Sequence, residues 1–318
     1  MSIDELISET KYFARCKLPA SMDAERTTQQ FEFQQNGLFL NDTGDVFTTV
    51  PFAPFSKKSP QRETSQHEHA SAIEAALQAI DGGTLQKVVL SCIKHAAREV
   101  ASLDELFLRM ASRYENAFVY IINHPQYGIW MGATPELLLE KKEDTWHTVS
   151  LAGTQAFQSE KTITWSDKLT REQQLVTSYI TVQLAELGAS EIMVQGPYTA
   201  QAGPLFHLKT DIAFTSQLNS SAIIEKLQPT PAVCGLPRDT ALAFITEHSD
   251  FERRLYAGRL GIVKANGNET HFVNLRCMQV FDDHFELHVG GGIVAGSTPE
   301  DEWRETEMKA DVLRSILH

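Results

Sequence analysis

Gly290-Gly291-Gly292-Ile293-Val294-Ala295-Gly296-Ser297 runs into Glu302-Trp303-Arg304-Glu305-Thr306-Glu307-Met308-Lys309, so a glycine loop feeds a helix that carries carboxylates and then a lysine. Ser297 suits an N-cap, Pro299 suits the first helical turn, and Glu300 stands three residues after Ser297, the spacing of a capping box. Glu302, Glu305 and Lys309 fall at i, i+3 and i+7 and share one helix face. Carboxylates beside a glycine loop can hold a hard cation, and the loop N–H groups with the lysine can hold an anion. The same pattern describes a capped, solvated, salt-bridged helix, so spacing alone leaves both readings open.

Composition narrows the partners. The 318 residues fit one large domain or two smaller ones, and 42% apolar residues supply a core. A net charge of −13 argues against nucleic acid and against an anionic membrane surface. It leaves a small anionic substrate admissible, because local Arg, Lys or metal reverses the field inside one cleft. Cys16, Cys92, Cys234 and Cys277 lie far apart, with neither zinc spacing nor a disulfide framework, and read as free thiols in a reducing compartment. The acidic Met1-Ser2-Ile3-Asp4-Glu5 start has no signal pattern, and no apolar run nears the roughly 20 residues that span a bilayer. A cytoplasmic protein is expected.

The elements that must position these residues follow from periodicity. Phe31-Glu32-Phe33 and Gly37-Leu38-Phe39-Leu40 read as short strands, and the polar stretch from Pro51 to His69 as a loop. Helical patterns cover Ala70 to Ile80, Leu103 to Tyr114, the Glu172-Leu175-Val176-Tyr179-Ile180-Gln183 face, and Asp239 to His248. Strands are expected at Lys87–Ser91, Ala117–Ile122, Gly128–Gly132, Leu137–Glu140, Thr148–Leu151, Glu191–Val194, Ile212–Phe214, Gly258–Lys264, His271–Val280 and Phe285–Val289. Neighbouring runs of strands with helices between the runs point to an α+β fold of large, mainly antiparallel sheets flanked by helices.

Taken in order, several segments resemble one family, the chorismate-utilising enzymes, which include isochorismate, anthranilate, aminodeoxychorismate and salicylate synthases. They are Lys87-Val88-Val89-Leu90-Ser91, Gly132-Ala133-Thr134-Pro135-Glu136-Leu137-Leu138, Leu151-Ala152-Gly153-Thr154, Pro229-Thr230-Pro231-Ala232-Val233-Cys234-Gly235, Tyr256-Ala257-Gly258, Leu275-Arg276-Cys277 and the Gly290 to Lys309 block. The resemblance runs from about Leu85 to the C-terminus. It implies a single chorismate-binding domain like anthranilate synthase component I, with residues 70–318 as the catalytic part and residues 1–69 adding strands to the same domain.

Chorismate is a small dianion. Making isochorismate adds water at C2 and expels the C4 hydroxyl, which needs a general base on one side of the ring and a general acid on the other. A divalent cation neutralises the ring carboxylate. By resemblance Lys87 is the base, since a lysine there accompanies water as nucleophile whereas ammonia-using relatives carry glutamine. It acts only after losing its proton, which burial or a nearby cation favours. Glu136 is the acid, and beside Leu137-Leu138-Leu139 a partly buried carboxyl is expected to hold its proton. His207 matches an active-site histidine. Glu172 and Glu305 match Mg²⁺ ligands, with Glu302 as a nearby partner. Arg276, expected in a strand, and Tyr256 match the grip on the pyruvyl carboxylate. Gly153, Thr154, Ala232, Gly291, Gly292 and Lys309 complete the substrate site, the glycines by letting backbone N–H groups approach. The His67-Glu68-His69 triplet reads as solvated.

Two positions depart from the family pattern. Gln228 opens the proline box where histidine is usual, and Gln173 follows Glu172 where histidine is common. Ala232 stands where pyruvate-eliminating relatives carry threonine. The resemblance therefore implies isochorismate synthase, feeding menaquinone or a catechol siderophore. Salicylate synthase and a catalytically silent chorismate-binding relative are the alternatives. No amidotransferase subunit is implied, and a monomer or weak homodimer is expected.

Overall fold

The structure is a computed structural model that describes residues 1–9, 11–23, 25, 27–34, 39–53, 59–99, 102–156, 163–202, 205–249 and 251–317, apart from the side chains of 154–156, 202 and 205. In chain order the elements are α1 (Ile3–Ser8), β1 (Phe13–Lys17), β2 (Thr28–Phe33), β3 (Phe39–Leu40), β4 (Val46–Val50), α2 (Gln66–Asp81), β5 (Lys87–Ala97) and α3 (Leu103–Arg113). Next come β6 (Phe118–His124), β7 (Gly128–Thr134), β8 (Leu137–Lys142), β9 (Thr145–Ala156), α4 (Asp167–Glu186), β10 (Ser190–Ala202), β11 (Leu205–Thr215) and α5 (Ser220–Leu227). The chain closes with β12 (Gly235–Leu236), α6 (Arg238–His248), β13 (Arg259–Val263), β14 (Glu269–Val273), β15 (Cys277–Val280), β16 (His284–Val294) and α7 (Pro299–Leu317).

All the strands join one antiparallel sheet, ordered β10-β11-β9-β8-β14-β13-β4-β3-β2-β1-β6-β7-β15-β16-β5-β12. This is the expected α+β architecture, with one continuous sheet. β1 to β4 lie in its middle, between β13 and β6.

Period-two burial divides the core. On β6 and β7, Phe118, Tyr120, Ile122 and Trp130 face a cluster with Phe31, Phe47 and Phe272. Phe118 stacks on Phe272 with centroids 4.6 Å apart. The alternate residues Val119, Ile121, Met131 and Ala133 face α1, α3 and α7 through Leu6, Leu106, Phe107, Met110 and Leu313. A third cluster packs α2 and α6 on β5 through Ile73, Ala76, Val88, Leu90, Ala241 and Ile245.

The sheet holds α7 in place with one buried cation. Lys94 of β5 donates to Glu307 at 2.6 Å and lies 3.0 Å from the Trp303 ring centroid. Both partners lie on α7, so this contact fixes the helix carrying Glu302 and Glu305.

Several local expectations are corrected. The Pro51–His69 loop ends early, because Ser65 and Glu68 form a capping box that starts α2 at Gln66. His69 is therefore buried, its ring 5.7 Å from Trp303, while His67 is exposed as expected. α7 is capped by Thr298, whose Oγ1 accepts from Asp301 N–H at 3.2 Å. Ser297 instead accepts from Val294 N–H at 3.2 Å and closes the preceding turn. Arg276 lies just before β15, outside the strand, with φ at +48°. Gly37 and Leu38 lie outside the described residues. The four cysteines are buried and free, and among the described residues no helix is long and apolar enough to cross a membrane.

Candidate active site

β5 and β16 pair in a register that sets Ser91 opposite Gly290, Leu90 opposite Gly291, Val89 opposite Gly292 and Lys87 opposite Val294. The glycines clear the space above this ladder. A Cβ at Gly292 would lie 2.5 Å from Glu172 Oε1 and 3.0 Å from Lys87 Cε. One at Gly291 would lie 3.0 Å from Glu302 Oε2, and one at Gly290 would lie 2.9 Å from the Tyr256 hydroxyl. Charged side chains from three elements thus cross a bare strand surface, which any side chain on β16 here would block.

α4 supplies Glu172, and α7 supplies Glu302, Glu305 and Lys309. Each carboxylate pairs with a lysine: Glu172 with Lys87 at 2.9 Å, Glu302 with Lys168 at 2.7 Å and Glu305 with Lys309 at 2.7 Å. Lys309 also donates to the Gly290 carbonyl at 2.7 Å, which ties the helix to the glycine strand. Burial and then the Glu305 charge raise the Glu302 carboxyl above its ordinary value.

A cleft opens over this surface. Lys87, Glu136, Glu172, Glu305 and Lys309 line it, with His207, Tyr256 and Arg276, and with Gly153, Ala232, Gly291 and Gly292. Glu302 sits beneath Gly291 and does not line the cleft. The Thr154 side chain lies outside the described residues.

Glu136 is held by its neighbours in sequence and space. Its N–H donates to Thr134 Oγ1 at 3.3 Å, Thr134 Oγ1 donates to the Val273 carbonyl at 2.6 Å, and Val273 N–H donates to the Glu136 carbonyl at 3.0 Å. Its carboxyl is buried, and burial pushes it up to about 7 against the pull of Lys87, Lys309 and Arg276. That proton availability near neutral pH is what a general acid requires.

Lys87 has the expected burial, with 1% of its side chain exposed, but its immediate partner is a carboxylate. His207 stands differently from expectation. Its Nδ1–H donates to the Gly153 carbonyl at 2.9 Å, and its Nε2 accepts from Arg276 at 2.7 Å. Burial first, and then the Arg276 charge, lower it to about 3, so the ring is neutral. In this arrangement it orients Arg276 and has no proton to give from Nε2.

Arg276 is placed by backbone contacts. Its carbonyl accepts from Ala133 N–H at 3.1 Å, and a Cβ at Gly132 would meet that carbonyl at 3.2 Å and Tyr120 at 2.7 Å. Tyr256 is set by Asn274, a wholly buried residue missed in the sequence. Asn274 accepts from the Tyr120 hydroxyl at 2.8 Å and donates to the Leu255 carbonyl at 2.8 Å. Its signal was its position two residues before Arg276. Lys168 was missed too, although Lys168 and Glu172 stand one turn apart on α4.

The two departures lie away from the cleft lining. Gln173 turns to the sheet and donates to the Ser150 carbonyl at 3.0 Å and Thr210 Oγ1 at 3.1 Å, clamping α4 onto β9 and β11. Gln228 caps the C-terminal end of α5.

Glu172, Glu302 and Glu305 are hard oxygen donors on a glycine floor, the donor set a magnesium-like ion takes. The fit is one of chemistry and approach. Each carboxylate is drawn to a lysine, and among the described residues the group of ligand atoms mutually within 4.8 Å lies elsewhere, at His95, His284 and Glu286.

The family profile described as "Chorismate binding enzyme" matches residues 7–318. The isochorismate synthase MenF of Escherichia coli (strain K12) is 34% identical over 268 residues, 77% of this chain and 59% of that protein. The chain thus spans about three-fifths of that relative's length. The solved structure of menaquinone-specific MenF from Escherichia coli matches with a TM-score of 0.72 at 28% identity, covering 84% of this chain and 65% of that one. DhbC from Bacillus anthracis matches at 0.76 over 99% of this chain and 85% of that one, and anthranilate synthase component I from Streptococcus pneumoniae TIGR4 at 0.66 over 83% and 61%. Both are 22% identical to this chain and show a shared fold. With the profile running from residue 7 to the last residue, and its motifs meeting in one glycine-floored cleft, the chain belongs to the chorismate-binding enzymes.

Proposed function

We propose that this chain is an isochorismate synthase, converting chorismate to isochorismate with Mg²⁺ and feeding menaquinone or catechol siderophore synthesis. The observation that carries the reading is Glu136, a buried carboxyl held up to about 7, lining the same cleft as Lys87. The names of MenF and its relatives support the same reading.

In this reading Arg276 and Tyr256 take the pyruvyl carboxylate, and His207 keeps the guanidinium aimed at it. Lys309 and the Gly291–Gly292 backbone serve the ring carboxylate. Glu172 and Glu305 would hold the metal, with Glu302 behind them. Bound Mg²⁺ supplies positive charge to the ring carboxylate as electron density moves toward it.

Lys87, as the free amine, takes one proton from water as the oxygen bonds to C2. The ring double bond shifts, the C4–O bond breaks, and Glu136 gives its proton so that the hydroxyl departs as water. One water enters and one leaves, so the reaction is an isomerisation. Afterwards Lys87 carries an extra proton and Glu136 has lost one, and exchange with solvent restores both. Ala232 in the cleft lining favours release at this stage over pyruvate elimination.

Incubation with chorismate and Mg²⁺, followed by chromatography, tests the reading. Isochorismate is the expected product. Salicylate with pyruvate, or no turnover by folded protein, overturns it.

A further inference from the structure

We propose that His95, His284 and Glu286 form a second cation site, suited to a borderline transition ion such as Zn²⁺. Glu286 faces His95 directly across the β5–β16 ladder, and His284 stands two residues before it, at the start of β16. One ligand atom of each lies within 4.8 Å of the other two, and His284 Nε2 is 4.0 Å from Glu286 Oε1. Zinc bonds of about 2.1 Å set tetrahedral ligands roughly 3.4 Å apart, so modest side-chain movements close the site.

The hydrogen bonds fix which ring nitrogens keep their lone pairs. His284 Nδ1 is 2.6 Å from Asp283 Oδ1 and donates to it, so the lone pair lies on Nε2. That Nε2 atom is buried without a hydrogen-bond partner. His95 Nε2 donates to the Gln61 carbonyl at 2.9 Å, which leaves the lone pair on Nδ1. Imidazoles that ligate metals commonly donate their other N–H to a carboxylate or a backbone carbonyl in this way.

Glu286 supplies the independent observation. Its side chain is wholly buried, and Oε1 accepts from Gln61 N–H while Oε2 has no hydrogen bond. The Arg254 guanidinium comes no nearer than 3.7 Å, and it donates to Gln279 Oε1 and the Ser59 carbonyl, each at 2.5 Å. A buried carboxylate so poorly served is costly, and a cation in direct contact offsets that cost. Two imidazoles and one carboxylate suit zinc or cobalt and not magnesium.

This site is separate from the carboxylates of the active cleft. Six residues at roughly 3.3 Å each put Gly290 about 20 Å from His284 along β16. A bound ion would fasten together β5 and β16 at the ends remote from Lys87 and Gly292.

The test uses the full chain stripped with chelator and then given excess Mg²⁺ to occupy the cleft carboxylates. Titration with Co²⁺ alone is expected to show one equivalent with visible ligand-field absorption, displaced by Zn²⁺. His284→Ala is expected to abolish that signal, and Asp283→Asn to weaken binding about 10–100-fold. Glu305→Gln is expected to leave it unchanged. No Co²⁺ uptake, uptake undiminished in His284→Ala, or uptake lost in Glu305→Gln would overturn the proposal.

Discussion

Glu136→Gln should cost activity and add stability, each by a calculable amount. Burial raises this carboxyl from its ordinary 4.5 to about 7. Below pH 4.5 it is protonated folded or unfolded, and burial costs nothing. Between pH 4.5 and about 7 the folded chain keeps a proton that the unfolded chain releases, so stability falls as pH rises. Above 7 the full penalty applies, about 3 kcal/mol at 1.36 kcal/mol per pH unit. Glutamine is neutral throughout and escapes it. Unfolding entropy of about 2.1 cal/mol/K per residue puts this 318-residue chain near 0.67 kcal/mol/K, so the variant should melt about 5 °C higher at pH 8.5. At pH 5 the gap should shrink below about 1 kcal/mol. An amide cannot protonate the departing hydroxyl, so kcat should drop about 10²–10⁴-fold, and wild-type kcat/KM should decline as pH rises through about 7. Calorimetry at the two pH values and a chorismate assay check both halves. Equal melting temperatures at pH 8.5, or turnover within tenfold of wild type, would refute the buried-acid reasoning.

Other outcomes follow from the same geometry. Lys87→Gln should slow turnover about 10²–10⁴-fold with substrate still bound, measured by kcat alongside calorimetric binding of chorismate. Glu305→Gln should abolish Mg²⁺-dependent turnover while circular dichroism stays unchanged, since Glu and Gln have similar helix propensities. Gly292→Ala should be inactive, because its Cβ would press on Glu172 and Lys87, and a competent variant would contradict the tight strand surface. Thr298→Ala should destabilise by about 1 kcal/mol as the loss of an N-cap, and thermal melting measures the loss directly.

What was legible in the sequence was chemistry bound to local pattern. The sequence points to a partly buried, proton-holding carboxyl at Glu136 and to close approach over the glycine run, and Glu136, Gly291 and Gly292 line one cleft with Lys87, Glu172, Arg276, Glu305 and Lys309. What escaped needed tertiary context. β1 contains Lys17, whose buried ammonium donates to the Ala111 carbonyl at 2.5 Å, so an apparently solvated lysine hid a core strand. β10 forms one edge of the sheet, with Met193 and Val194 exposed, and its lack of a buried face weakens alternation as a guide to its length. Ser297 and Thr298 are both competent caps, and only the turn geometry chose between them. Arg276 takes a left-handed backbone that a branch-free arginine gives no sign of adopting.

The acidity of the whole chain and an anionic substrate are reconciled inside the cleft. Lys87, Lys168 and Lys309 each pair with one of three carboxylates, Glu172, Glu302 and Glu305, at or beneath the cleft surface, and Arg276 in the cleft lining adds a fourth cation. Glu136 adds no charge below about pH 7, because burial keeps its proton in place. With Lys87 protonated the local balance is therefore positive although the chain carries −13 overall, and it falls to neutral when Lys87 becomes the free amine that takes a proton. Buried charges of this kind are expensive unless each has a partner, which is why every carboxylate here has its own lysine. Those lysines let the acidic ligands fold into low-dielectric surroundings, and Arg276 adds the positive charge that meets a dianion. Removing Lys168 or Lys309 should therefore disturb both the fold of the site and its affinity, whereas neutralising the matching glutamate should mainly alter cation binding.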